Sequence, residues 1–263
     1  MLASKSAAED ARDVAPAFGD DRTTAAAGHR TAALTAYGSE GLHVEPDVFT
    51  AAEIRALNAA ADRVSAKRGG TLAPMMNPHR EEAILLQKAL RHPRIVAIVG
   101  RLVGGRVHGL QSQYFFCPPG TPGFSRHQDN FYVRAKPDAF VSVWCALSDV
   151  DSENGGLVFL PRSHREPILP VELVRPQRLS PTQDPNANRR QTLVPPGYAP
   201  FRPRLPAGSA VFFHGHTVHW SEDNRSAERW RRSLLLTYLR VGETFRPGGS
   251  GARSIIPIDA SAA

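Results

Sequence analysis

The sequence predicts a mainly β domain with supporting helices towards its N-terminus. Short runs of β-branched and aromatic residues, separated by Gly and Pro, dominate the chain after residue 107. Two stretches with apolar residues three or four positions apart precede them, as amphipathic helices require. A length of 263 residues with 41% hydrophobic content fits one large domain with a sizeable core.

The N-terminal part is expected to be an arm followed by helices. Residues 1–32 mix small and charged side chains without periodicity, which predicts a mostly disordered arm. A short strand is expected at 41–46. Thr50 and Glu53 then form a capping-box pattern, which predicts a helix start. A second helical stretch is expected at 81–102, interrupted by a proline that should begin a new helix.

The strands of the predicted β domain follow one another from residue 107 onwards. Alternating or β-branched runs between turn residues place them at 107–116, 139–150, 157–160, 209–213 and 233–241. We therefore expect a single domain at 33–241. The Gly/Ser/Pro-rich residues 242–263 are expected to form a C-terminal tail at the edge.

A proline-rich segment interrupts the strands. Eleven of the 22 prolines lie between Pro161 and Pro206, without a sustained period of two or 3.6. This pattern predicts an ordered loop that acts as a lid, residues 162–207. Eight Arg against three acidic residues give this segment +5 of the formal net charge of +7. We therefore expect the lid to contact an anionic or strongly hydroxylated substrate.

Composition argues against several classes of protein. No apolar run is long enough to span a membrane, and residues 1–27 lack the apolar middle of a signal peptide. Cys117 and Cys145 are too few for a disulfide framework, so a cytoplasmic location is expected. No Lys/Arg tract is interleaved with aromatic residues, so nucleic-acid binding is disfavoured. The excess charge could also serve solubility alone.

A possible metal site centres on His127 and Asp129. If residues 125–131 form a strand end, these two side chains point to one face and can hold the same ion. A second histidine from another strand would complete a set of two His and one carboxylate, which leaves positions open on Fe(II). The pattern H-x-D is short enough to occur by chance, and a packed or surface His is the alternative interpretation.

Five motifs follow one another in the second half of the chain: His127-Gln128-Asp129, Trp144-Cys145-Ala146-Leu147, Glu153 to Leu157 with Leu160 to His164, Gly208 to His219 with Ser221 and Asn224, and Arg231-Arg232-Ser233-Leu234. In this order they resemble the phytanoyl-CoA dioxygenase-like (PhyH) family of Fe(II)/2-oxoglutarate-dependent oxygenases. Chance produces one such motif easily, but rarely five in register.

The resemblance implies the metal ligands His127, Asp129 and His219, which would also be the catalytic centre. His214 and His216 are the rivals of His219. We prefer His219 because Ser and Asn follow it at the spacing that the family shows. In a regular strand His214 and His216 would face away from His219 and pack or meet solvent. Asp129 argues against a halogenase, in which a small residue takes its place.

The resemblance also implies residues that bind 2-oxoglutarate. The family's carboxylate-binding Arg lies eleven residues after the last His, where this chain has Trp230. Arg231 takes that place if the preceding loop holds one extra residue, and its planar fork suits a carboxylate. Arg229 and Arg232 are the competitors.

Four further residues resemble co-substrate contacts by position: Ser221, Trp144, Gln111 and Gln113. Each has a structural alternative. Trp144 could be plain core, and the glutamines could pair with the backbone.

The resemblance implies a double-stranded β-helix (jelly roll) with Fe(II), 2-oxoglutarate and O2 as cofactors. The expected activity is oxidation of a small molecule by hydroxylation or oxidative cyclisation, as in antibiotic biosynthesis. A sugar or oligosaccharide intermediate is one candidate substrate. The alternatives are an acyl-CoA-type hydroxylase and a metal-binding, cupin-like protein that uses no 2-oxoglutarate.

Overall fold

The computed structural model describes residues 25–174, 181–182, 190–249 and 252–258. Its strands are β1 Leu42–Glu45, β2 Met75–Met76, β3 Val107–Cys117, β4 Phe140–Ala146, β5 Leu157–Phe159, β6 Val171–Leu173, β7 Arg190–Thr192, β8 Ala210–His214, β9 His219–Ser221, β10 Arg231–Arg240 and β11 Ile256–Pro257. The main sheet has the order β1-β8-β4-β10-β3-β11, with β2 also paired to β3. Strands β5 and β9 form a second, small sheet, and every one of these pairs is antiparallel.

The helices are α1 Ala25–Glu40, α2 Ala51–Lys67, α3 Ala83–Leu85, α4 Pro93–Leu102 and α5 Asn130–Val133, with a π turn at Leu86–Leu90. The predicted capping box begins α2: Thr50 Oγ1 accepts from the Glu53 amide at 3.2 Å, and Glu53 Oε2 accepts from the Thr50 amide at 3.1 Å. Within the described ranges, no helix has both the length and the hydropathy needed to cross a membrane.

The core occupies both faces of the main sheet. On the outer face, α2 and α4 bury Leu57 and Ile95 against Leu236 of β10. On the inner face, Trp144 of β4 packs with Phe159 of β5 and Phe213 of β8. Neighbouring residues of one strand belong to opposite clusters, as the two-residue period of a strand requires. The two antiparallel layers form the predicted double-stranded β-helix, with an apolar inner cavity between them.

One of the two expectations about the chain ends needs correction. Helix α1 begins at Ala25, so the last eight residues of the predicted arm 1–32 are helical; residues 1–24 lie outside the described residues. A stretch without clear periodicity can still be helical because Ala has the highest helix propensity. The tail 242–263 was expected at the edge, and its strand β11 does pair with the edge of β3.

A buried ion pair joins α4 to the main sheet. Glu45 at the end of β1 is 3% exposed and accepts from Arg94 Nε at 3.1 Å and from His43 Nε2 at 2.7 Å. Burial alone would raise the pKa of Glu45, but the hydrogen bonds from His43 and Arg94 prevail and lower it to about 2. The ionised carboxylate is therefore the form that the fold stabilises.

We expect Glu45→Gln to remove an acid-sensitive part of the stability. Because the folded pKa of Glu45 is depressed, its contribution is complete above about pH 4.5 and is lost as the pH falls towards 2. The wild-type advantage in unfolding free energy should shrink by about 1–2 kcal/mol between about pH 6 and pH 3. Urea unfolding of both proteins across this range measures it. A constant difference would contradict the assignment.

Candidate metal centre

Three side chains converge at one end of the inner cavity. His127 Nε2 lies 3.4 Å from Asp129 Oδ1, and His219 Nε2 lies 3.8 Å from the same oxygen. The ligand atoms of the three residues all lie within 4.8 Å of one another. Backbone pairing holds the two histidines together, because the His127 and His219 amides each donate to the other residue's carbonyl, at 2.9 and 3.0 Å.

The local geometry at Asp129 differs from the prediction. His127 lies on an isolated β-bridge, but the strand does not continue to Asp129, whose φ of −60° and ψ of −36° are helical. Asp129 instead stands at the start of α5. The two side chains therefore converge through a turn of the backbone and not through the alternation of a strand.

Hydrogen bonds orient each of the three side chains. His127 Nδ1 lies 2.8 Å from the Ser125 carbonyl, and His219 Nδ1 lies 3.0 Å from the Thr217 carbonyl. Because a carbonyl only accepts, both Nδ1 atoms carry the proton, which leaves each Nε2 lone pair facing Asp129. This arrangement presents two imidazole nitrogens to one point.

Asp129 is oriented by a residue that the sequence analysis did not single out. Ser142 Oγ donates to Asp129 Oδ2 at 2.6 Å, which leaves Oδ1 directed at the histidines. Ser142 stands two residues before Trp144 on β4, so it shares the cavity-facing side of that strand. That spacing from Trp144 was the available indication in the sequence.

The electrostatics of the cluster favour a divalent cation. Burial alone would raise the pKa of Asp129, but His219 and His127 hold it well below its usual range. Burial, reinforced by His127, lowers the pKa of His219 to about 4. For His127, burial alone would lower the pKa, but hydrogen bonding to Asp129 prevails and raises it. A carboxylate with two imidazoles is the donor set of a non-haem Fe(II) site with open positions, and these residues fit it.

His214 and His216 are engaged elsewhere. His216 Nδ1 lies 2.9 Å from the Glu166 carbonyl, and its Nε2 lies 3.1 Å from Asn130 Nδ2. His214 Nδ1 accepts from the His216 amide at 3.0 Å, and burial lowers its pKa to about 4. The chain turns between β8 and β9, so the assumed single strand through all three histidines does not form. His214 and His216 nevertheless have structural contacts, as their alternative interpretation held.

All the predicted site residues line one cavity of about 250 Å³. Its walls include the three clustered residues and Arg231, Ser221, Trp144, Gln111 and Gln113. Arg231 is 4% exposed, its Nη2 lies 2.7 Å from Cys117 Sγ, and its Nη1 donates to the Gly155 carbonyl. Its Nε has no partner, and no described carboxylate forms an ion pair with it. A buried guanidinium without an acidic partner is suited to binding an anionic ligand.

The two competing arginines are paired outside this cavity. Arg229 binds Asp151 at 2.9 Å and Glu153 at 2.6 Å. Arg232 binds Asp62 and donates from Nε to the Tyr114 hydroxyl at 2.7 Å. Because their charges are already balanced, neither offers a free guanidinium to a ligand.

The four other predicted co-substrate contacts differ in how many hydrogen bonds their side chains can still form with a ligand. Ser221 Oγ accepts from the Phe124 amide at 3.0 Å, so its own hydroxyl proton can still be donated. Trp144 is 4% exposed and forms both core and cavity wall. Gln111 already donates to Met76 Sδ. Gln113 lines the cavity beside it.

The segment 162–207, which the sequence predicts to be a lid, is hydrogen-bonded to residues next to the candidate metal ligands. Gln128, the middle residue of the H-Q-D motif, accepts from the Leu169 amide at 2.8 Å and donates to the Pro167 carbonyl at 3.1 Å. The Thr192 amide donates to the Arg126 carbonyl at 2.9 Å. The lid also contains a β6–β7 hairpin that its irregular sequence did not predict.

Several lid arginines bind carboxylates of this chain. Arg202 lies 3.1 Å from Glu222, Arg204 lies 3.9 Å from Asp151, and Arg162 lies 3.7 Å from Glu40. Part of the positive charge of this segment is thus balanced by acidic residues of the chain, through ion pairs that are weak where the side chains are exposed. Three further lid arginines lie outside the described residues: Arg175, Arg178 and Arg189.

The architecture defines a jelly-roll protein with a His-x-Asp and distal His cluster in its cavity. A family model for phytanoyl-CoA dioxygenase (PhyH) matches residues 37–233, which is most of the chain. The chain therefore belongs to the phytanoyl-CoA dioxygenase family.

Individual relatives have low sequence identity to this chain. The phytanoyl-CoA dioxygenase domain-containing protein 1 of Danio rerio is 32% identical over 54% of this chain and 48% of its own length. The chain thus spans about half of that relative. The L-proline trans-4-hydroxylase of Streptomyces griseoviridis is 27% identical over 85% of this chain and 94% of its own. The epimerase SnoN from nogalamycin biosynthesis superimposes with a TM-score of 0.70 at 22% identity, covering 90% of this chain and 92% of SnoN.

Replacing His127, Asp129 or His219 by Ala should lower Fe(II) affinity by about a hundredfold or more, because each change removes one of three protein ligands. Anaerobic titration with Fe(II), or calorimetry with redox-inert Zn(II), measures the loss. His216→Gln is the matched control and should keep the affinity within about threefold. If His219→Ala kept its Fe(II) affinity and His216→Gln lost it, the assignment of His219 as the third ligand would be wrong.

Proposed function

We propose that this protein is a non-haem Fe(II)- and 2-oxoglutarate-dependent dioxygenase. The observation that carries the proposal is the presence, in one cavity, of the His127, Asp129 and His219 cluster and of Arg231 without an acidic partner. A metal-binding protein that used no 2-oxoglutarate would have no need of that buried charge. Membership of the family and the fold it shares with SnoN, also known in complex with Fe3+ and alpha-ketoglutarate, support the proposal.

Each group of the chain has a defined task in this function. His127, Asp129 and His219 would hold Fe(II), which supplies the activation of O2 when it is bound. Arg231 would bind the distal carboxylate of 2-oxoglutarate bidentately, and the Ser221 hydroxyl can donate to the same molecule. With Fe(II), 2-oxoglutarate and O2 bound, the site would supply a two-electron oxidation of the substrate coupled to the conversion of 2-oxoglutarate to succinate and CO2. Trp144, Leu157 and Phe213 supply apolar parts of the cavity wall, which would limit the access of water.

The substrate that we infer is a small metabolite, oxidised by hydroxylation or oxidative cyclisation. Two of the similar proteins point to small molecules by their names: one is an L-proline hydroxylase, and the other belongs to nogalamycin biosynthesis. An antibiotic intermediate, including a sugar or oligosaccharide, therefore remains a candidate, and L-proline is a practical first compound to assay. We expect the segment 162–207 to act as a lid over such a substrate, and its hydrogen bonds to Gln128, which lies between His127 and Asp129, support this.

The first test is anaerobic addition of Fe(II) and 2-oxoglutarate to the full chain. A weak visible charge-transfer band should appear, and admission of O2 should convert 2-oxoglutarate to succinate. If neither the band nor succinate appears, the protein is a metal-binding jelly roll of another function.

Arg231→Met should raise the 2-oxoglutarate concentration required for half-saturation of that band by tens to hundreds of fold. The physical reason is the loss of a charge-assisted bidentate pair shielded from water. Fe(II) affinity should stay within about threefold. Arg229→Met, which removes a surface guanidinium two residues away, is the control and should leave 2-oxoglutarate binding unchanged. The reverse pattern would show that the loop before Arg231 was aligned wrongly.

A further inference from the structure

The C-terminal segment 252–258 lies along strand β3 and brings Arg253 to the wall of the inner cavity. Its strand β11 pairs with Gly109 and His108 of β3, and Ile256 and Ile258 are buried in the outer core. The approach is close, because a Cβ added to Gly109 would lie 3.4 Å from Ile256 Cβ and 3.1 Å from Leu90 Cδ2. The segment is therefore fixed to the sheet by packing as well as by strand pairing.

Hydrogen bonds continue this attachment to the residues that flank Arg253. Asn77 Nδ2 donates to the Ala252 carbonyl at 2.8 Å. The Ser254 amide donates to the Leu110 carbonyl at 3.2 Å, and the Arg253 amide donates to the Pro247 carbonyl at 2.9 Å. The backbone of Arg253 is thus held on both sides, beside the strand that carries Gln111.

The side chain of Arg253 lines the cavity that holds the metal centre. Its Nη1 donates to the Arg246 carbonyl at 3.1 Å, while its Nε is buried without a partner. No described carboxylate forms an ion pair with it. Burial lowers the pKa of Arg253, and the charge of Asp129 offsets this only in part. The guanidinium is therefore a partly desolvated cation that lacks a counter-ion of its own.

A second unsatisfied group lines the same cavity. Thr237 of β10 is 5% exposed, and its Oγ1 is buried without a partner in the described structure. Thr237 is the cross-strand neighbour of Gln111 on β3 and of Ser142 on β4. A hydroxyl, an amide and a guanidinium thus line the cavity beside Asp129, to which Ser142 donates.

Arg253 and Arg231 are carried by segments that pair with opposite ends of strand β3. Arg231 pairs with Cys117 at the far end of β3, whereas the tail that carries Arg253 lies against Gly109 and Leu110. Thr237 and Arg231 are six residues apart on β10, which corresponds to about 20 Å of extended strand. In the proposed function Arg231 binds the distal carboxylate of 2-oxoglutarate and the other carboxylate would be a metal ligand, so no carboxylate of the co-substrate is left to balance Arg253.

We propose that Arg253 is a specificity-determining residue that binds a carboxylate of the substrate to be oxidised. This inference rests on the proposed function, in which a substrate is oxidised and Arg231 binds 2-oxoglutarate. A single guanidinium surrounded by neutral donors balances one negative charge, which matches a carboxylate better than a dianionic phosphate. Bound there, the substrate would lie on the Asp129 side of the cavity, away from the 2-oxoglutarate end.

The test compares small acids with their neutral amides: benzoate with benzamide, and cyclohexanecarboxylate with cyclohexanecarboxamide. Binding to the full chain is followed by ligand-observed NMR, with Fe(II) and saturating 2-oxoglutarate under anaerobic conditions so that Arg231 is occupied. The wild type should prefer each acid by about tenfold or more. Arg253→Met should bring acid and amide within about twofold of each other, and Arg253→Lys, which keeps the charge without the fork, should fall between them.

Arg246→Met is the matched control. The side chain of Arg246 is exposed, does not line the cavity and donates to the carbonyls of Tyr132 and Phe131. The Arg246 carbonyl that accepts from Arg253 Nη1 belongs to the backbone, which the substitution keeps. Its loss should leave the preference for acids intact. Binding of Fe(II) and of 2-oxoglutarate by Arg253→Met should also stay within about twofold of wild type.

Three results would overturn the proposal: no preference for acids in the wild type, a preference that survives in Arg253→Met, or a loss of Fe(II) or 2-oxoglutarate affinity in that variant. The last would mean that Arg253 acts through Asp129 or on the co-substrate. Failure of the proposed function is distinguishable, because it removes the charge-transfer band. The acid preference can then still be measured in metal-free Arg231→Met protein, where Arg253 is the cavity arginine that remains.

Discussion

The geometry of the candidate metal centre depends on the backbone pairing between His127 and His219. These residues are far apart in the chain, yet each donates its amide to the other's carbonyl, so the two imidazoles are set by the main chain. The same pairing places Nδ1 of each ring next to a carbonyl two residues earlier, at Ser125 and Thr217. Tautomer and direction of the rings thus follow from strand geometry, and Asp129 needs only to turn towards them.

The distribution of arginine charge separates structural from functional residues. Arg94, Arg202, Arg229 and Arg232 each bind a carboxylate of the chain, and their charges serve the fold. Within the described part, the cavity-lining arginines Arg231 and Arg253 lack such a partner, although burial makes an unbalanced charge costly. The formal net charge of +7 therefore says less about ligands than the pairing of each guanidinium does.

Much of the architecture could be predicted because it rests on local rules. The capping box at Thr50, the helix start at Pro93 and the alternating strands from residue 107 all express short-range geometry. Predictions failed where local preference was weak. Helix α1 begins inside the expected arm, and Asp129 adopts a helical conformation at the end of an expected strand. In both places packing against the rest of the chain can override a weak local preference.

The sequence by itself determined a mainly β domain and the order of the motifs, and the resemblance carried by those motifs implied the jelly roll and the candidate residues His127, Asp129, His219 and Arg231. Only the tertiary structure decided which arginine is left without a counter-ion, that Ser142 orients Asp129, and that Arg253 reaches the cavity from the C-terminal segment. Such facts depend on contacts between residues more than a hundred positions apart, or across strands. Neither periodicity nor local propensity contains that information, since both describe only neighbours in the chain.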